Sequence, residues 1–122
     1  MTRIERDDDL YRRILDYYYI AAENRISSAA FMGRKGKLDP EVSVYLARLS
    51  DPKAVLRAGT PKQRLASLKA AVPFDLGLSV RPMPEDDFPG HCVITGFSTN
   101  WKEQCARLAE RCTLVDLPIA DE

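Results

Sequence analysis

The chain has 122 residues, of which 45% are hydrophobic and 30% charged, so one domain with an ordinary core is expected and disorder of the whole chain is not. Eighteen basic and eighteen acidic side chains cancel to zero net charge, which excludes a wholly basic domain built around duplex DNA. Three cysteines with no CxxC pair argue against a disulfide framework or a cysteine-rich zinc site and suit a reducing compartment.

The opening residues MTRIERDDDL contain no apolar signal core, and no apolar run approaches the length of a membrane span. A cytoplasmic location with no membrane contact is therefore expected. Residues 1–6 read as a charged lead-in. Asp7, Asp8 and Asp9 supply carboxylates suited to a helix start, and Leu10, Ile14 and Leu15 give one apolar stripe, so a helix is predicted to end near Asp16.

Tyr17, Tyr18, Tyr19 and Ile20 favour an extended chain, and Glu23-Asn24 suits a tight turn. A hairpin with strands near 18–22 and 25–28 is predicted; the rival is one helix running to Asn24. Residues 33–41 read as a loop and Val42 to Leu46 as a strand. Asp51-Pro52 starts a helix that Gly59 stops. Thr60-Pro61 repeats the start signal for a second helix, striped by Leu65, Leu68 and Val72 and ended by Pro73.

A strand is predicted over Leu76 to Val80, then a proline-rich acidic loop over 81–90 and a strand over His91 to Phe97. Asn100-x-x-Glu103 fits an Asn-led capping box for a last helix over 98–112, with Trp101, Cys105, Leu108 and Cys112 on one face. The tail 113–119 reads as extended. Helices and strands do not alternate strictly, which points to a single-domain α+β fold over 1–122: a small mixed sheet of about 4–5 short strands packed with about 3–4 helices.

Four groups of residues invite chemistry. His91, the only histidine, opens a strand beside a flexible loop; it suits acid–base work, or else it bonds a loop carbonyl and orders the turn. Arg25 could grip a phosphate or carboxylate, with Ser27 and Ser28 as donors, although strand neighbours face opposite ways. Gly33-Arg34-Lys35-Gly36-Lys37 is a basic glycine-bearing loop that lacks the Walker spacing, so Arg34, Lys35 and Lys37 are either phosphate ligands or solvated cations. The tyrosine run 17–19 and Trp101 are candidate interface anchors or core. Glu85, Asp86 and Asp87 show no cation-binding spacing, and neither a metal nor a cofactor is expected.

The pattern Arg25-x-Ser27-Ser28-x-x-Phe31, Ser43-Val44, Gly77-Leu78, Pro84 and His91-x-x-Ile94 resembles a group of small bacterial proteins with no established activity. The resemblance covers about residues 10–96. It implies a bacterial origin and a shared constellation of Arg25, Ser27, Ser28, Phe31, Ser43 and His91. Gly90 before His91 and the long last helix depart from that pattern.

Two functions follow as expectations. The first is a bacterial accessory protein that binds another protein, or itself, within a multi-gene system, through Tyr17, Tyr18, Tyr19 and Trp101. The second is a metal-independent enzyme acting on RNA or a nucleotide phosphate, with His91 as acid–base group, Arg25 stabilising charge and Ser27 or Ser43 donating hydrogen bonds. Zero net charge does not favour nucleic acid. The enzyme reading requires His91 and Arg25 to converge on one pocket.

Overall fold

A computed structural model describes residues 2–117. In chain order the elements are β1 (Asp9–Leu15), β2 (Tyr19–Ile20), β3 (Arg25–Ile26), β4 (Val42–Leu46), α1 (Pro52–Arg57), β5 (Gln63–Lys69), α2 (Ala71–Asp75), β6 (Ser79–Pro82), β7 (His91–Thr95), α3 (Trp101–Glu110) and β8 (Thr113–Leu114). Six strands form one sheet in the order β6-β7-β4-β1-β5-β8, and β2 with β3 forms a separate ribbon. The fold is α+β. Every pairing is antiparallel, so the sheet is not mixed, and eight strands exceed the number expected.

The largest correction is β1. Residues 9–15 form a strand, not a helix, and pair with β5 at all seven positions from Asp9↔Lys69 to Leu15↔Gln63. Leu10 and Ile14 are four apart, so they share a face in either conformation. Arg12 occupies the inward position between them and masks the alternation that would have marked a strand.

The second correction is β5, read as a helix from Leu65, Leu68 and Val72. Leu65 and Leu68 lie on opposite faces of a strand, and both faces are covered. Leu65 joins Tyr45, Val55 and Leu56 under α1, while Leu68 joins the main core. The helix is shorter and later: it is α2, with Pro73 inside its first turn, where no N–H bond is required.

Smaller shifts follow. The strand expected over 76–80 is β6 at 79–82, because Gly77 turns the chain at φ 78° and the Leu78 amide bonds the Pro73 carbonyl. The predicted hairpin exists as the β2–β3 ribbon, shortened by a 3₁₀ turn over Ala21–Glu23 and by Asn24 at φ 47°. Asn100 makes no side-chain cap on α3. Gln104 instead accepts from the Ser98 amide at 3.0 Å and donates to the Leu76 carbonyl at 3.1 Å, tying α3 to the end of α2. The tail prediction holds a short strand, β8, and its residues 118–119 lie outside the described residues.

The main core lies on the Leu10 face, where Leu10, Val42, Val44, Leu46, Leu68 and Ile94 meet Phe31 and the Cys105–Leu108–Ala109 face of α3. A smaller cluster under α1 covers the opposite face.

The sheet opens between β1 and β4. These strands pair only at Leu10↔Leu46 and Tyr11↔Tyr45. Beyond that point the Arg12 guanidinium stands in for strand hydrogen bonds. Nη1 donates to the Ser43 carbonyl at 2.8 Å, while Nε and Nη2 donate to the Ala30 carbonyl at 3.1 and 3.0 Å. Its charge also lies over the Phe31 ring, 5.7 Å from the centroid.

Arg12→Ala leaves two carbonyls unbridged at the split. It should lower unfolding free energy by about 3 kcal/mol, measured by urea denaturation. Arg12→Lys should recover little of this, because an ammonium cannot reproduce the planar fork.

Candidate functional site

Beside the second half of β1 lies a cleft of about 230 Å³, lined by Arg12 to Leu15, by Tyr18, by Ala29, Ala30 and Met32 to Arg34, and by Gln63 of β5. The 3₁₀ turn over Ser28–Phe31 forms one wall. Ser27 starts that turn by accepting the Ala29 amide at 3.3 Å, and Phe31 is fully buried beneath it. Two groups singled out separately in the sequence, the tyrosine run and the basic glycine loop, meet at this cleft.

Tyr17 is 72% exposed and meets Tyr18 edge-on, with ring centroids 4.9 Å apart. Tyr19 turns away; its hydroxyl donates to Asn24 Oδ1 at 2.8 Å, and Arg64 covers its ring. Arg34, Lys35 and Lys37 are exposed, and among the described residues none has a carboxylate within ion-pair distance. Lys62, just before β5, has the same exposure and the same lack of a partner.

Arg12 lines the cleft. Burial pulls its pKa below the ordinary arginine value, and the charge of Asp39 opposes that pull. Three of its five N–H groups are spent on carbonyls, which leaves two unspent. The cleft therefore combines the half-buried Tyr18, next to the exposed Tyr17, with the guanidinium groups of Arg12 and Arg34, an arrangement suited to a carboxylate carried on a partly apolar segment.

The other singled-out residues lie elsewhere. His91 is 6% exposed, on the opposite sheet face, with both ring nitrogens occupied. Nδ1 bonds the Met83 carbonyl at 2.8 Å; a carbonyl only accepts, so Nδ1 carries the proton. Nε2 bonds Ser43 Oγ at 3.1 Å. Tyr45 lies beside the ring, 5.2 Å between centroids.

Arg25 sits on the β2–β3 ribbon, paired with Glu23 at 2.8 Å, in a second cleft with Cys112, Thr113 and Leu114 of the β8 edge. β7 and β8 are four strand positions apart in the sheet, roughly 19 Å at ordinary strand spacing. Arg25 and His91 thus do not converge. Trp101 packs against the main core from α3, half-buried.

Of the six residues in the expected constellation, Ser43 touches His91, and Ser27, Ser28 and Phe31 share one turn. The link between these two groups is Arg12, which the sequence reading missed. The available signal was a charged residue between Leu10 and Ile14 on one face of a strand.

The thiols of Cys92 and Cys105 are pushed up to about 11 by burial, and that of Cys112 to about 12. Among the described residues no three His, Cys, Asp or Glu side chains gather closely enough to hold a metal ion, and no helix is long and apolar enough to cross a membrane. No protein-family model, curated protein or solved structure matches the chain.

Two outcomes are expected. His91→Ala should cost about 2 kcal/mol in denaturant unfolding and speed amide exchange over residues 83–90, because the loop loses its anchor. Iodoacetamide at pH 8 should label the folded protein slowly at all three cysteines. A thiol with pKa about 11 is ionised there to only about one part in a thousand, so labelling should become fast only on unfolding.

Proposed function

We propose that the protein is a non-catalytic recognition module that binds a protein partner through the cleft beside the second half of β1. The observation that carries this reading is the convergence at one cleft of Tyr18, beside the 72% exposed Tyr17, and of Arg34 from the basic loop. Aromatic residues and arginine are the side chains most enriched at interface hot spots. An aromatic ring supplies contact area at low entropic cost, and an arginine adds directional bonds to a carboxylate.

The recognised feature is an acidic side chain flanked by apolar surface. Arg34 and the neighbouring unpaired lysines steer it in, and Arg12, with two N–H groups not spent on carbonyls, lines the cleft.

The test is quantitative capture from the native host with three baits: wild type, Tyr17→Ala with Arg34→Glu, and Lys53→Glu on the exposed side of α1 as a charge-reversal control. A protein retained by wild type and by the control should be lost at least about tenfold with the double variant. Equal capture by all three baits would rule out the cleft as the contact site.

A further inference from the structure

Two loops rich in unpaired charge of opposite sign lie at opposite ends of the strand axis. β4 runs antiparallel to β7, with Val42 opposite Ile94 and Tyr45 opposite His91. The loop 33–41 that enters β4 and the loop 83–90 that enters β7 therefore lie at opposite ends of the sheet, separated by about 17 Å of five-residue strand. One end carries Arg34, Lys35, Lys37 and Lys62. The other carries Glu85, Asp86 and Asp87, all exposed.

Among the described residues, none of these seven side chains has an ion-pair partner. Their charged neighbours are already engaged: Asp16 with Arg64, Glu41 with Arg81, and Arg48 with Asp8. Asp39 accepts the Glu41 amide and is felt at Arg12.

The acidic end is a built knob. Glu85 and Phe88 exchange backbone bonds of 3.0 and 3.1 Å, so Asp86 and Asp87 form the tip of a closed turn. Phe88 packs edge-on against Tyr45, with centroids 5.4 Å apart. Below it, the Met83 amide bonds the His91 carbonyl, and His91 Nδ1 bonds the Met83 carbonyl. Gly90 closes the base. A Cβ there would stand 2.5 Å from Ser50 Oγ and 3.0 Å from the Leu46 carbonyl, so the loop and the turn after β4 are in tight contact. Met83, 41% exposed, and Pro84 give the knob an apolar flank.

The knob thus has the chemistry that the cleft selects: carboxylates beside apolar surface, held in a fixed shape. We infer that the occupant of the cleft is a second copy of this chain, whose 84–88 knob docks between Tyr17–Tyr18 and the Arg34 loop. The inference rests on the reading of the cleft as a contact site. Each contact joins two different patches and leaves one knob and one cleft unspent, so assembly grows head to tail. A preordered knob loses little entropy on docking, and the complementary ends steer the encounter.

The test is sedimentation equilibrium of three proteins: wild type, a cleft variant (Arg34→Gln with Lys37→Gln) and a knob variant (Glu85→Gln with Asp86→Asn), each neutralised rather than reversed so that the two altered patches do not attract one another. At low ionic strength the wild-type mass should climb past that of a dimer with concentration. It should return to 13.7 kDa near 1 M salt, where the Debye length is about 3 Å. Each variant alone should stay at 13.7 kDa. An equimolar mixture should form a dimer and stop there, since only one intact knob and one intact cleft remain; that dimer also shows that both variants are folded.

A wild type that is monomeric at every concentration, or self-association that both variants retain, overturns the inference. If the wild type stays monomeric while capture of another protein still depends on Tyr17 and Arg34, self-association alone is removed. If neither experiment depends on those residues, the cleft reading falls with it.

Discussion

The structure turns on one guanidinium. β1 is central, paired with β5 along its whole length, yet it leaves β4 after two residues. A central strand that parts from its neighbour exposes main-chain groups to a buried space, and such groups must find partners. Arg12 meets that requirement by donating to Ser43 on the far side of the gap and to Ala30 in the turn above it. Among the described residues no carboxylate pairs with it, so carbonyl dipoles and the Phe31 ring hold the charge in place of an ion pair. Burial at this site is tolerable because arginine stays protonated and spreads its charge over a plane.

The rest of the architecture follows from that junction. The turn carrying Ala30 and Phe31 is where α3 docks, with the Cys105 thiol bonding the Phe31 carbonyl at 3.4 Å. Tyr18 of the tyrosine run and Gly33 and Arg34 of the glycine loop line the same cleft as Arg12. The same arginine therefore closes the core and lines the candidate contact site. A change at Arg12 would act on stability and on recognition together, whereas Tyr17 and Arg34 stand clear of the core.

His91 illustrates how a residue type can mislead. A lone histidine at a strand end is the residue type, in the position, that invites an acid–base reading. Its surroundings assign it another task, because Met83 and Ser43 occupy both nitrogens and Tyr45 covers the ring. The result is a braced acidic turn. The reading in which the histidine orders its loop by bonding a carbonyl matches this geometry.

The α+β class, the strands at 42–46 and 91–95, the helix from Pro52 and the hairpin of the ribbon were legible in the sequence, because local chemistry decides them. Asp51 caps α1 by accepting the Lys53 amide, and Asn24 takes the left-handed conformation that few residues accept. The strands β1 and β5 were not legible. Leu10 with Ile14 fits either period, while Leu65 with Leu68 fits one helix face and falls on two faces of a strand, and only the partner strand and the layers on both faces select the extended form. The site divides the same way. The tyrosines, the basic loop and the acidic loop are visible as residues in the sequence. Their arrangement, with two meeting at one cleft and the third at the opposite end, depends on antiparallel pairing of strands nearly fifty residues apart, a long-range register that local sequence does not encode.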